Sequence, residues 1–270
     1  MRHFLTFKEI SNEQLDPNII GGKAEALARL YQKGFTVPDG FVISTEFFES
    51  FPKENMPIKF FDQDIKKIYR YIDACSPRGL VAVRSSASTE DSNTQSFAGQ
   101  FDSFLNVKKE QVLVAVEKCL KSLHNTRAES YAQGKNSNIK MAVIVQNMVT
   151  PEISGVAFST NPVTGDKNSV IIEAVAGSNE LLVQGAVTPD YYAVSKNLKM
   201  LDKKVIPQNE ISQQKLSDQQ LLNITQLVID VSRFFNTEVD IEWAIEKDKL
   251  YILQSRPITA IQYHNAKRIF

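Results

Sequence analysis

Two neighbouring stretches near the end of the chain, VDIEWAI and LYILQSR, carry carboxylate, amide and guanidinium groups at alternating positions. Alternation with a period of two predicts a pair of β-strands. A three-residue loop at 247–249 would set Glu242 opposite Gln254. Asp240 and Arg256 would then form the next pair on that face. Carboxylate and amide oxygens suit Mg²⁺, which takes few protein ligands and leaves the rest to substrate phosphates.

The same hairpin also fits an ordinary surface ion pair, and a two-residue turn would shift its register. Alternation predicts that the second strand presents one mixed face, made of Leu250, Ile252, Gln254 and Arg256. The first strand is predicted to present an apolar face opposite its acids, made of Val239, Ile241, Trp243 and Ile245.

A second candidate site is the stretch VAVRSSASTEDSNTQSFAGQ, residues 81–100. Arg84 is predicted to end an apolar strand, where its forked donors could meet an anion bidentately. The tail that follows is small and polar up to Gly99, a residue that lets backbone N–H groups approach a ligand. The pattern suits a flexible lid over phosphates. A solvated surface loop with an incidental arginine is the alternative interpretation.

Three further residues could contact a nucleotide. Lys23 follows two glycines and opens a predicted helix, where it could hold a phosphate or simply face water. Gln146 and Met148 end an apolar strand, and an amide beside a flexible thioether could line an adenine slot. Packing in the core is the alternative for both.

Common nucleotide and hydrolase motifs are missing from the sequence. Gly22-Lys23 lacks the spaced glycine and the following Ser or Thr of a P-loop, and no G-x-G-x-x-G occurs. The His-Arg-Asp and Asp-Phe-Gly elements of protein kinases are absent. With three histidines and no G-x-S-x-G, the sequence does not predict a triad hydrolase.

The composition predicts a cytoplasmic protein that binds neither nucleic acid nor membrane. Its 31 basic and 31 acidic side chains balance, so no long-range field attracts nucleic acid or anionic lipid. The N-terminus lacks the apolar block of a signal peptide, and no segment has the ~18 apolar residues of a membrane span. Cys75 and Cys119 match no metal or redox spacing and are predicted to be buried free thiols.

Helices and strands are predicted to alternate irregularly, with hairpins among them, which favours a two-lobed α+β or α/β body over a doubly wound sheet. Apolar periodicity predicts helices at 22–33, 62–73, 110–124 and about 218–235, the last opened by a Ser217/Gln220 capping box. Strands are predicted at 40–45, 80–85, 141–149, 155–160, 169–175, 190–195, 238–246 and 249–255.

Five blocks of the sequence, in this order, resemble the N-terminal ATP-binding domain of phosphoenolpyruvate synthase, pyruvate phosphate dikinase and rifampicin phosphotransferase. They are IIGGKAEALARL, VPDGFVIST, VAVRSSASTEDSNTQSFAGQFDSFLNV, MAVIVQNMVTPEISGVAFSTNPVTG and DIEWAIEKDKLYILQSRPIT. The resemblance spans about residues 19–259. It implies an α+β ATP-grasp fold that binds ATP between two lobes, 1–145 and 146–270.

The resemblance also implies roles for individual residues. Lys23 and Arg84 would hold phosphates, and Arg256 would neutralise the terminal phosphate; these three would be the catalytic residues. Glu242 and Gln254 would ligate Mg²⁺. Gly99 and Ser103 would belong to the covering loop, and Gln146, with Met148 beside it, would meet the adenine end. Ser103 stands where the family usually has threonine, which keeps the hydroxyl.

Full-length relatives continue into a swivelling domain whose histidine carries the phosphoryl group. None of His3, His124 or His264 has the Thr-x-His setting of that carrier, and only eleven residues follow residue 259. We therefore expect a phosphotransferase half that donates a phosphoryl group to a carrier histidine on another domain or protein, and that splits ATP to AMP and phosphate or pyrophosphate only when this carrier is present. A self-sufficient small-molecule kinase or ligase releasing ADP and a non-catalytic nucleotide-binding module are the alternatives.

Overall fold

The chain divides into two compact units, Met1–Met148 and Val149–Phe270. The computed structural model describes residues 3–13, 16–50, 60–88, 103–132, 139–178, 180–183, 185–206 and 215–258. Within these ranges no helix combines the length and the apolar character needed to cross a bilayer.

The first unit is a five-stranded antiparallel sheet with helices on it. Its elements are β1 (Phe4–Thr6), α1 (Phe7–Glu13), α2 (Pro17–Ile20), α3 (Gly22–Lys33), β2 (Gly40–Ile43), α4 (Thr45–Glu49), α5 (Asp62–Cys75), β3 (Leu80–Ala87), β4 (Ser103–Lys108), a 3₁₀ turn (Lys109–Gln111), α6 (Val112–Ala132) and β5 (Met141–Asn147). The strand order is β1-β2-β5-β3-β4, which puts β3 and β5 next to each other inside the sheet.

The core of the first unit lies where α5 and α6 pack against the sheet. The predicted apolar stripe of α6 is buried throughout, with Val112, Val116 and Cys119 fully enclosed. In α5, Ile68 and Ile72 are fully buried. The helical periodicity in the sequence therefore identified the faces that make this core.

The second unit is a six-stranded antiparallel sheet with one long helix. Its elements are β6 (Ile153–Phe158), β7 (Ser169–Ala176), α7 (Glu180–Val183), β8 (Asp190–Ser195), β9 (Met200–Lys204), α8 (Asp218–Phe235), β10 (Val239–Glu246) and β11 (Lys249–Pro257). The strand order is β11-β10-β6-β7-β8-β9. Helix α8 packs against β6, β7 and β10.

Helix α8 begins and ends where its sequence predicts. The Ser217 hydroxyl accepts from the Gln220 amide at 3.3 Å, and the Gln220 side chain accepts from the Ser217 amide at 2.9 Å. This reciprocal pair is the predicted capping box. Asn236 ends the helix in the left-handed conformation. The α+β prediction is thus confirmed in both units.

Trp243, the largest fully buried side chain, depends on a glycine on the neighbouring strand. Gly155 lies opposite Trp243, and a Cβ at Gly155 would stand 1.8 Å from the Glu173 carbonyl oxygen and 2.9 Å from the indole ring. No side chain fits there, so the indole occupies space that only glycine leaves.

Several short elements were not predicted. Strand β1 has three residues, too few to show a period. Strand β9 reads MLDKK and is exposed along its whole length, so it has no apolar alternation to detect. Strand β4 begins at Ser103, which the resemblance had placed in the covering loop.

Both cysteines are free thiols, as predicted, but they differ in exposure. Cys119 is fully buried against the sheet, whereas Cys75, at the end of α5, is half-buried. Burial, with a smaller effect of the Asp39 charge, raises the pKa of Cys75 to about 11. A thiol with that pKa is protonated and unreactive at neutral pH.

A buried ion pair that the sequence analysis did not identify joins the start of β8 to the chain before α8. Asp190 is fully buried, and its carboxylate accepts from the Lys215 ammonium at 2.6 Å and from the Tyr192 hydroxyl at 2.9 Å. It also accepts from the backbone amides of Ile206 and Lys215 at 2.9 and 3.0 Å. Burial alone would raise the pKa of Asp190, but these hydrogen bonds together hold it below its usual value.

We predict that Lys215→Met lowers the free energy of unfolding by about 3–5 kcal/mol, because it leaves the buried Asp190 carboxylate without its counter-charge. Urea denaturation at neutral pH measures the loss. Arg233→Ala is the control: Arg233 pairs with Asp230 at 3.8 Å on the surface of α8. That change should cost less than about 1 kcal/mol. Equal losses for the two variants would contradict the role given to the buried pair.

We also predict that the contribution of Asp190 to stability disappears in acid. Its folded-state pKa is lowered, so the unfolded chain binds the proton first, near its ordinary pKa of about 3.9. The contribution is complete above that pH and falls as the pH drops below it. The difference in free energy of unfolding between wild type and Asp190→Asn, measured by urea denaturation from pH 7 to pH 3, should therefore become smaller below about pH 4. A difference that stays constant over this range would contradict the role given to the Asp190 carboxylate.

Candidate functional site

The start of helix α3 lies directly on strand β3, which brings two distant motifs of the sequence together. The Ala24 amide donates to the Ser86 hydroxyl at 3.1 Å. A Cβ at Gly21 would lie 2.1 Å from the Ser86 carbonyl oxygen, and Gly21 has a φ of 77°. Only glycine allows this approach. Lys23, in the first turn of α3, is 9% exposed and directly precedes Ala24, whose amide contacts the strand that carries Arg84.

Strand β3 presents Arg84 on the face that α3 covers. Ser86 points toward α3, and alternation places Arg84, two residues earlier, on the same face. Ser103 on β4 pairs directly with Arg84, so the two side chains share that face. The strand continues three residues past Arg84 to Ala87, so Arg84 lies within β3 and not at its end as predicted.

Gln146 lies on this same face of the first sheet, because its partner on β3 is Ala82. Its side chain is 2% exposed, and its amide nitrogen donates to the Pro38 carbonyl at 2.9 Å. Met148 is also buried; its carbonyl accepts from the Arg78 guanidinium at 2.7 Å. The structure thus gathers Arg84, Ser103 and Gln146 on one face, next to the helix that carries Lys23. Gly99 lies outside the described residues.

The closing hairpin pairs Glu242 with Gln254 and Asp240 with Arg256, as the sequence predicted. The connection differs from the prediction. Glu246 pairs with Lys249, which leaves a two-residue turn whose residues, 247 and 248, have φ values of 50° and 61°. Positive φ at both positions is typical of a type I′ turn.

A β-bulge restores the predicted pairing after the shorter turn. Trp243 pairs with Ile252 and Glu242 with Gln254, so Leu253 is an extra residue on β11. Ile252 therefore lies on the apolar face with Trp243, while Gln254 lies on the opposite face. The prediction that β11 has a single mixed face is wrong, because the bulge divides the strand between both faces of the sheet.

Asp240 holds the guanidinium of Arg256 with two contacts. Both Nε and a terminal nitrogen of Arg256 lie 2.7 Å from the same Asp240 oxygen. Burial raises the pKa of Asp240, and the Glu242 charge adds to that effect, whereas the Arg256 guanidinium opposes both. The Arg256 side chain is 35% exposed, so its charge is anchored yet open to a ligand.

Sequence reasoning missed one carboxylate on this polar face. Glu173 on β7 pairs with Val156, and Val156 pairs with Glu242, so a single row of side chains includes both acids. Burial raises the pKa of Glu173, and the Asp240 charge raises it further. A lone acid within the apolar run SVIIEAV was the available signal.

The polar face offers few protein ligands for a metal. Throughout the described part of the chain, no group of three or more His, Cys, Asp or Glu side chains could hold a metal ion. Asp240 is engaged by Arg256. The oxygens of Glu242 and Gln254, which pair directly across the two strands, are the two donors that the sequence predicted, and Glu173 lies in the same row. Two oxygen donors fit Mg²⁺ when a bound substrate completes the coordination shell.

Comparison with known proteins identifies relatives over most of the chain. The sequence is 31% identical to a probable phosphoenolpyruvate synthase from Methanocaldococcus jannaschii, covering 97% of this chain and 27% of that protein. It is 30% identical to rifampicin phosphotransferase from Bacillus cereus, covering 95% of this chain and 36% of that protein. The chain therefore spans about a third or less of the length of these two curated relatives.

Among solved structures, the chain is matched by a dinucleotide-forming acetyl-coenzyme A synthetase from Ca. Korarchaeum cryptofilum, with a TM-score of 0.48 and 11% identity over 95% of this chain and 93% of that one. The sequence profile of the pyruvate phosphate dikinase AMP/ATP-binding domain matches residues 54–270. With that match and the two curated relatives, the chain belongs to the family of the pyruvate phosphate dikinase AMP/ATP-binding domain.

Proposed function

We propose that this protein binds ATP with Mg²⁺ and donates a phosphoryl group to a histidine on another domain or protein. Family membership supports nucleotide binding and the ATP-grasp fold that the resemblance implied. The observation that carries the finer proposal is the register of β10 and β11, which sets Glu242 against Gln254 and Asp240 against Arg256.

Phosphoryl transfer requires positioned charge more than covalent chemistry from the protein. We assign Lys23 and Arg84 to the phosphates because the contact between α3 and β3 brings their motifs together. We assign Arg256 to the terminal phosphate. Since Asp240 fixes its guanidinium before substrate arrives, Arg256 can stabilise transferring charge with little reorganisation.

Glu242 and Gln254 would hold Mg²⁺ through their paired oxygens. The ion, when bound, would neutralise phosphate charge and orient the triphosphate. Ser103, directly opposite Arg84, has a hydroxyl able to bond a phosphate oxygen. Gln146 meets the adenine end in this assignment, with its amide group fixed by the Pro38 carbonyl.

The acceptor is assigned to another domain or protein for a chemical reason. His3 is the histidine whose side chain the structure describes, and its ring packs against Phe4 and Phe47 in the first unit. A histidine that carries a phosphoryl group has to reach the substrate and then leave it, whereas His3 is packed between two phenylalanine rings. The greater length of the relatives is consistent with an acceptor outside this chain.

Mg-ATP binding is the first test. We expect metal-dependent binding near micromolar Kd in titration calorimetry, roughly −6 to −8 kcal/mol. Glu242→Ala and Gln254→Ala should each weaken it, and the double variant should lose less than the sum, because both side chains touch one ion. Glu246→Ala, on the same strand beside the turn, is the matched control and should bind as wild type. Simple additivity would refute the metal assignment.

Transfer is the second test. In this transfer the histidine takes the β-phosphoryl group and water takes the γ-phosphoryl group, so ATP yields AMP and phosphate. AMP formation should require an added histidine carrier domain, for which the corresponding domain of one of the longer relatives serves. Arg256→Ala should slow it by about 10- to 100-fold, since each lost charge-assisted bond is worth roughly 1.5–3 kcal/mol.

Arg256→Lys is the control for the transfer test, because it keeps the charge but not the forked geometry, and its loss should be smaller. Replacing Arg256 leaves the buried Asp240 without its partner and could unfold the protein. Denaturation curves of Arg256→Ala and Arg256→Lys therefore distinguish slow transfer from loss of folded protein. ADP formed with a small molecule and no carrier would instead establish a self-sufficient kinase.

A further inference from the structure

We propose that Ser86 is a positioning residue that fixes Lys23, and this inference rests on the proposed assignment of Lys23 to the phosphates of ATP. Ser86 is fully buried in β3, and its hydroxyl accepts the Ala24 amide at 3.1 Å. The residues concerned lie 62 positions apart in the sequence.

Helix α3 lacks a cap of its own. Its N-cap residue is Gly21, which has no side chain to accept a first-turn amide. The first amides of a helix have no intrahelical partner and need an acceptor from elsewhere. Ser86 provides that acceptor from the neighbouring strand. The first helical bond, from the Glu25 amide to the Gly21 carbonyl at 3.1 Å, follows immediately.

The hydrogen bond between the Ala24 amide and Ser86 also fixes the position of Lys23 along β3. Ser86 and Arg84 lie two residues apart on the same face of β3. Because Ala24 directly follows Lys23, the Ser86 hydrogen bond sets the backbone of Lys23 relative to Arg84. The close approach of the Gly21 backbone to the Ser86 carbonyl oxygen places this end of α3 directly against β3. Lys23 and Arg84, the two cations assigned to one triphosphate, are thereby positioned by the same contact between α3 and β3.

Ser85 offers a matched comparison within the same strand. Like Ser86 it is fully buried, but it faces the opposite side, toward the core that contains Val83. Its hydroxyl has no hydrogen-bond partner among the described residues. Ser85→Ala therefore also removes one buried hydroxyl from β3, but on the face away from α3.

The test measures Mg-ATP affinity in a double-mutant cycle between Ser86→Ala and Lys23→Ala, with Ser85→Ala as the control. Ser86→Ala should weaken Mg-ATP binding about fivefold, a factor that corresponds to about 1 kcal/mol. In the Lys23→Ala background it should cause no further loss, because the group it positions is gone. Ser86→Ala should also lower the ratio of ATP to AMP affinity, while Ser85→Ala should leave both nucleotides unaffected.

A purely structural role predicts a different pattern. The loss caused by Ser86→Ala would then repeat in full without Lys23, and ATP and AMP would weaken equally; either result overturns the proposal. If Ser86→Ala does not fold, Ser86→Cys replaces it in the cycle, since sulfur is a weaker acceptor in a side chain of similar size. Wild type that binds no Mg-ATP would overturn the proposed function, whereas Mg-ATP binding that is unchanged in Lys23→Ala would overturn the assignment of Lys23 and this inference alone.

Discussion

Antiparallel pairing between β10 and β11 determines which chemical groups meet on the polar face of the second unit. The two-residue turn starts the pairing in a register that, continued unchanged, would set Gln254 opposite Ile241 on the apolar face. The extra residue Leu253 moves Gln254 to the other side. One strand thereby supplies Ile252 to the packing around Trp243 and an amide oxygen to the candidate metal ligands.

In the first unit, the position of the charged side chains depends on a residue that has no side chain. Glycine at position 21 lets the start of α3 rest on the backbone of β3, at a distance that a Cβ would forbid. Close approach then makes the Ser86 hydroxyl available to the helix. In each unit a local backbone feature therefore determines where the charged side chains lie: the bulge at Leu253 in the second unit and Gly21 in the first. The apolar packing beneath them keeps the backbone in place.

The sequence predicted those parts of the fold in which one local pattern dominates. The amphipathic face of α6, the capping box of α8 and the alternation of β10 follow from period and cap chemistry, and all three are present. The bulge at Leu253 leaves no local signature, because a bulge depends on both strands at once. The pairing of Glu242 with Gln254 was predicted through a wrong loop length, which the bulge compensates.

Long-range contacts account for most of what the sequence did not reveal. Ser86 reads as one of many hydroxyls in a polar stretch, and its role depends on a helix far away in the chain. Lys215 lies in a stretch for which the sequence predicted no helix or strand, yet its side chain is only 8% exposed and pairs with Asp190. The row that joins Glu173 to Glu242 passes through two strand pairings and becomes visible only in the assembled sheet.

The four hydrogen bonds to Asp190 have a consequence for engineering. One carboxylate accepts the backbone amides of Ile206 and Lys215 as well as the Lys215 ammonium, so it fixes two separate points of the chain to β8. A buried ion pair can often be replaced by apolar residues of similar volume without loss of stability. Here that exchange would also take the acceptor away from two backbone amides, so Asp190 and Lys215 are a poor choice for apolar redesign.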